Sequence, residues 1–137
     1  MALVHITGVL EDGTKRGATV PTDVRQVLRI TKTVDYTIRL TIVTSAGVAS
    51  SATGHTFALS IRKTPESGAL TISPALSGTA ATTLGPNVVD FTITDVNTRN
   101  LTPGVYTYDV VRTTGSGLRD VVVPLSALYL SSTPGRY

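Results

Sequence analysis

The segment "VDYTIRLTIVT", Val34 to Thr44, puts Val34, Tyr36, Ile38, Leu40 and Ile42 on one side of an extended chain and Asp35, Thr37, Arg39 and Thr41 on the other. Successive strand side chains point to opposite faces, so strict alternation over this length predicts a strand with one buried and one solvated face. "HTFALSIRKT" repeats the pattern with Phe57, Leu59 and Ile61 inward and Thr56, Ser60 and Arg62 outward. "NVVDFTITDV" does so through Val89, Phe91 and Ile93, and "VYTYDVVRTT" aligns Tyr106, Tyr108 and Val110. After the "GSG" turn, "LRDVVVPLSALYL" pairs back as the closing strand of a hairpin. It is broken or bulged at Pro124, which has no N–H to give to a ladder.

The intervening segments read as connections. "SAGVASSATG" is small and polar without a period, and "PESG", Pro65 to Gly68, has the residue types of a turn. "ALTIS" predicts one short strand, Leu70 to Ser73, near a sheet edge because Pro74 follows it; the small-residue stretch up to Pro86 predicts none. "DVNTRNLTPG" predicts one turn of helix, capped by Asp95, ended by Pro103 and Gly104, with Leu101 as its anchor in the core. Upstream, "VHITGVL" and "KRGATV" flank "EDG", which predicts a hairpin over Val4 to Val20 with Asp12 and Gly13 in a tight turn. Pro21 breaks the chain before the main alternation begins.

The predicted organisation is therefore a hairpin arm over residues 1–23, a β-sandwich over 24–132 and an exposed tail over 133–137. About seven short strands with turn signals between them predict an immunoglobulin-like antiparallel sandwich. In such sandwiches a tyrosine enters a strand just after a tight corner and its hydroxyl bonds back to the upstream backbone. "LTPGVYTYDV" offers Tyr106 for that corner and Tyr108 for the core position two residues on. The predicted core comprises Tyr36, Ile38, Leu40, Phe57, Leu59, Ile61, Phe91, Ile93, Tyr106, Tyr108 and Val110.

Composition agrees with an all-β class. Apolar residues make up 41% of the 137-residue chain and charged residues only 15%, the balance being filled largely by Thr, Ser and Gly. β-branched residues fit a pleated surface and lose rotamer freedom in a helix. There is no cysteine, so neither disulfides nor thiolate metal sites supplement the packed interior. No window approaches the roughly 20 apolar residues needed to span a bilayer, and the N-terminus shows no basic segment followed by a long apolar run, so neither a membrane span nor a signal peptide is expected. The net charge of +3 comes from scattered residues, with Lys15–Arg16 and Arg62–Lys63 the only adjacent basic pairs. A solvated face is the expected reading, with no track for nucleic acid.

Candidate chemistry is sparse. With His5 and His55 the only histidines, nucleophilic catalysis requires a serine beside one of them and a carboxylate; Ser60, Asp90 and Asp109 are the conceivable partners, and no local signature unites them. The acidic residues are dispersed without metal-ligand spacing. Gly115 and Gly117 lie between two strands, where they read as a hairpin turn, since a phosphate cradle opens a helix. Tyr129 and Tyr137 are the only aromatics considered for a carbohydrate site and read as packing or tail residues; "NLT" at Asn100 matches a glycosylation acceptor of no consequence without a secretory signal. No catalytic, cofactor-binding or metal-ligating residue is expected, and neither an enzyme nor a small-molecule substrate.

The order "YTIRLTIV", "HTFALSIRKTPESGALT" and "VVDFTITDVNTRNLTPGVYTYDVVRTTGSGLRDVVVPLSALYLSS" resembles the small immunoglobulin-like domain of tailed-bacteriophage virion proteins, typified by the N-terminal domain of baseplate upper proteins. In that family an "ALT"-like strand end precedes an alternating strand, a short "D…L" helical turn, "PG.Y.YD" and a closing hairpin. The likeness runs from about Val24 to Ser132. It implies a non-enzymatic virion component of the tail, baseplate or head surface, assembled in the host cytoplasm in several copies with other virion structural proteins as partners. A head decoration (cement) protein and a monomeric carbohydrate-binding or adhesion module are the alternatives.

Overall fold

The computed structural model describes residues 2–10, 26–44, 48–64, 69–72, 75–81 and 83–132. The described strands run in chain order as β1 (Ala2–Leu10), β2 (Leu28–Thr31), β3 (Tyr36–Thr44), β4 (Thr56–Arg62), β5 (Leu76–Ser77), β6 (Thr79–Ala80), β7 (Val88–Ile93), β8 (Gly104–Thr113) and β9 (Arg119–Ser131), with one helical turn, α1 (Asp95–Thr98), between β7 and β8. They form two sheets, in the orders β1-β3-β7-β6 and β2-β9-β8-β4-β5. The alternating runs supply the centres of both: β3 against β7 with Ile38 opposite Phe91, and β4 against β8 with Ile61 opposite Tyr108. Their inward faces meet in one core containing every predicted core residue, Tyr36 being only partly buried against it.

The fold is the all-β sandwich expected, and it also corrects the reading in four places. First, Ala2 to Leu10 is no arm. The segment runs parallel to β3 across nine register positions, from Ala2 opposite Tyr36 to Leu10 opposite Thr44, and Ile6 is 3% exposed within the core. Its alternation was legible, but its partner lies across a long connection instead of beyond a two-residue turn. The proposed return strand and its Asp12-Gly13 turn lie outside the described residues, as do Pro65 to Gly68 and residues 133–137.

Second, the sheets are mixed, because β2 also joins its neighbour β9 in parallel, Leu28 opposite Leu128 and Ile30 opposite Leu130. Parallel neighbours need crossover connections, which local turn signals do not reveal. Third, Leu70 to Ile72 is not a regular strand; Thr71 N–H donates to Ile61 O at 2.8 Å and Ile72 is buried. The extra pairing comes from β5 and β6 in the stretch that lacked a period. β5 pairs with β4 of one sheet and β6 with β7 of the other, so the chain changes sheets at Gly78. A Cβ there would stand 2.5 Å from Val89 Cγ1 and 3.0 Å from both Phe57 Cβ and Phe91 Cε1, so the crossing requires glycine.

Fourth, the helical turn begins one residue earlier than predicted, with Thr94 as its cap in place of Asp95; Thr94 N–H donates to Asn97 Oδ1 at 2.7 Å. Asp95 instead donates its N–H to Asp35 Oδ1 at 2.8 Å, and the buried Thr98 accepts from Thr33 N–H at 3.1 Å. These bonds tie α1 to the turn between β2 and β3, where Thr33 sits at a positive φ of 64° that a β-branched residue tolerates only under such constraint. Leu101 packs against the core as expected.

The tyrosine corner is present. Tyr106 O–H donates to Thr102 O at 2.6 Å, four residues upstream, and Tyr108 is fully buried two positions later. Burial pushes the Tyr106 phenol above its ordinary pKa, so it remains a donor at neutral pH. Replacing Tyr106 with Phe removes that bond and leaves the Thr102 carbonyl without its partner, which is expected to cost about 1 kcal/mol, read as a lowered urea midpoint with an unchanged slope. An unchanged midpoint would show that the corner is held by packing alone. The hairpin at Gly115 to Gly117 is closed by Thr114 N–H on Leu118 O at 2.8 Å, and Pro124 sits where the β8–β9 register steps from Tyr108 opposite Ser126 to Val110 opposite Val123. The break predicted at Pro124 is thus a bulge.

Candidate interaction surface

The lateral sides of the sandwich are the natural places for a partner to add a strand, because edge strands carry unpaired backbone groups. On one side they are stitched together. Thr7 N–H of β1 donates to Gln26 Oε1 at 2.6 Å, and Gln26 Nε2 donates back to Thr7 O, so one side-chain amide satisfies both backbone groups of an edge residue. Gln26 is itself held by the other sheet: its N–H donates to the buried Ser126 Oγ at 3.2 Å and its carbonyl accepts from the Tyr108 hydroxyl. Burial pushes the Tyr108 phenol well above its ordinary pKa, which keeps that proton in place.

Close by, Tyr36 O–H at the start of β3 accepts Thr31 N–H of β2 at 2.9 Å, a second bond between the sheets. β1 also lies against β9, where a Cβ on Gly8 would come within 2.6 Å of Val122 Cγ1. On the opposite side the edges are the two-residue strands β5 and β6, joined through Gly78. The outer faces of the sheets are therefore the broader surfaces.

Those faces differ. On the first sheet, Arg39 and Asp90, opposite one another on β3 and β7, form a two-point ion pair with Nε to Oδ1 at 2.9 Å and Nη2 to Oδ2 at 3.0 Å. His5 is exposed on β1 opposite Arg39. On the second sheet, Ser60 and Asp109 are cross-strand neighbours and His55 immediately precedes β4. Among the described residues no hydrogen bond joins either histidine to Ser60, Asp90 or Asp109, and the buried Nδ1 of His55 has no hydrogen-bond partner. No group of three or more His, Asp or Glu among the described residues is placed to hold a metal ion.

Asp109 is the carboxylate among the described residues whose pKa is displaced. Burial raises its pKa above the ordinary range, against the lowering pull of Arg62 and Arg119. Its Oδ1 is 3.7 Å from Arg62 Nη1, too long for a hydrogen bond. Because the folded-state pKa exceeds the unfolded one, the stability due to the bound proton is present below the unfolded pKa and lost as pH rises through the folded value. Asp109→Asn is therefore expected to be at least as stable as the parent at pH 7, with the difference shrinking as pH falls into the carboxylate range. Urea midpoints at pH 7 and pH 4 check this; a variant less stable at pH 7 would show that the pairing with Arg62 outweighs desolvation.

The second sheet also exposes apolar side chains. Tyr129 is no packing residue of the interior: it lies 38% exposed on β9, with the Arg29 guanidinium 4.7 Å from its ring centroid. Val105, opposite Tyr129 on β8, is 51% exposed, and Leu125 is exposed further along β9. Arg29, Tyr129 and Val105 lie side by side on β2, β9 and β8 and line a groove of about 480 Å³ together with Pro103, Gly104 and Ser132. Gln26 and this row escaped sequence reasoning. The cross-strand row is set by a parallel pairing that no local pattern encodes, and Gln26 has no motif around it. Tyr137 is outside the described residues, and Asn100 is exposed in the turn after α1.

No protein-family model matches this chain, and no curated protein does. Among solved structures, the N-terminal domain of phage TP901-1 ORF48 matches over 96% of this chain and 99% of its own length, with a TM-score of 0.61 at 10% identity. A cysteine protease inhibitor of Entamoeba histolytica, EhICP2, matches over 94% of this chain and 95% of its own at a TM-score of 0.38 and 12% identity. The first likeness establishes a shared fold running from end to end of both chains.

Proposed function

We propose that this protein is a structural component of a tailed-bacteriophage virion, acting without catalysis by attaching to other virion proteins in several copies at the tail, baseplate or head surface. The observation that carries this reading is the end-to-end match to a phage protein domain, at 96% and 99% coverage. The order of sequence segments that resembles the immunoglobulin-like domain of phage virion proteins supports it independently. The stitched lateral sides suit a rigid block that docks through its faces.

The reading is tested with purified protein and particles from phage lacking its gene. Co-sedimentation with tails or heads, saturating at a fixed ratio, is the expected result. Binding to a polysaccharide panel with no association to either particle would favour an adhesion module and reject the virion role.

A further inference from the structure

We infer that the Arg29–Tyr129–Val105 groove seats a short extended segment of a neighbouring protein carrying a carboxylate and, two residues away, an apolar side chain. Two observations lead there. Arg29 is exposed at the groove with its guanidinium against the Tyr129 ring, and none of the ion pairs among the described residues includes it. The carboxylates of α1 and the adjoining turn are already engaged, Asp95 with Arg99 and Asp35 with the Asp95 N–H. Arg29 is thus the charged side chain lining the groove, and among the described residues it has no anionic partner.

Spacing gives the pattern. Arg29 and Val105 are two strands apart, roughly 10 Å, but the guanidinium leans over Tyr129 and so stands about one strand spacing, near 5 Å, from the Val105 row. In an extended peptide, side chains two residues apart share a face at roughly 6–7 Å. A carboxylate on the guanidinium therefore places the side chain two positions on over Val105. The planar guanidinium, held against the ring, offers its donors to a carboxylate in two-point geometry with less loss of freedom than a mobile lysine. Gly104 and Ser131 lie among the groove's lining residues.

Identifying the neighbour as a virion protein rests on the proposed function; the seat itself does not, because it can be probed on the isolated protein. The probe is acetyl-Ser-Asp-Ser-Leu-Ser-amide, with its Asn counterpart as control, titrated into isotopically labelled protein and followed by NMR. Shifts confined to the surroundings of Arg29, Val105, Tyr129 and Ser131, with a dissociation constant below about 1 mM, are expected. Binding should weaken about tenfold or more with the Asn peptide and in Arg29→Glu, and should fall with added salt. Arg29→Gln, which keeps the stem without the charge, should show the same loss if Arg29→Glu perturbs the fold. No shifts at these residues, equal binding of the two peptides, or glucuronate binding as tightly as the Asp peptide would overturn the inference. Any of these results leaves the particle experiment unaffected, and a protein that fails to join particles still reports on the seat.

Discussion

Truncating Phe91 to Ala is expected to lower the free energy of unfolding by about 3–5 kcal/mol. Phe91 is fully buried at the centre of β7, opposite Ile38, and its ring edge abuts the backbone of Gly78 where the chain changes sheets. The cavity cannot be filled from that side, because Gly78 has no side chain to move and its carbon is fixed by the N–H bond to Phe57 O at 2.9 Å. A domain of this size has a total stability of about 5–15 kcal/mol, so the variant should unfold at much lower urea and approach instability at 37 °C. A loss below about 1 kcal/mol would mean that the inward face of β7 has been assigned the wrong way round.

Deleting residues 1–10 is expected to do more. An arm could be removed at no cost, but β1 is a member of the first sheet. Its loss strips the β3 edge of its partner, withdraws Ile6 from the core, and uncovers Leu40 and Val122, both of which lie against Gly8. It also frees the Gln26 amide that links the two sheets. Burying one large aliphatic side chain contributes about 1.5–3 kcal/mol, and the strand adds a backbone ladder. The truncated chain should lose its cooperative thermal transition or accumulate as aggregate. A soluble truncated protein with a melting curve like the parent would show that β1 is dispensable.

What could be read from the chain divides along physical lines. The strands β3, β4, β7, β8 and β9 were legible because each has one face in the core and one in water, so burial writes a period of two into the sequence. The tyrosine corner was legible because it depends on a local loop of four residues, and the β9 bulge because proline cannot donate to a ladder. The pairing of β1 and β2 was not legible: alternation fixes which face is buried and says nothing of which strand lies alongside. β5 and β6 were hidden because strands of two residues have no period, and Gly78 stands among small residues for which a close approach leaves no distinctive signal.

The surface was less readable still. Arg29, Val105 and Tyr129 are far apart in the chain and become neighbours only through the β2–β9 and β9–β8 registers, so each in isolation is an ordinary strand residue. Tyr129 reads as a core aromatic because it sits in an apolar run, yet its neighbours Leu128 and Leu130 take the inward positions. The expectation that neither histidine belongs to a reactive set rested on the absence of local signatures; the fold places His5 on the first sheet and His55 just before β4 of the second, the sheet that carries Ser60 and Asp109.

The central claim is that the molecule is built into a phage particle. Quantitative mass spectrometry of gradient-purified phage particles from a culture that produces this chain tests it most directly. The account predicts that peptides of this protein co-purify with the particle peak at a fixed copy number per particle that survives repeated purification. Absence from the particles, or a trace amount that declines with each gradient, would contradict it.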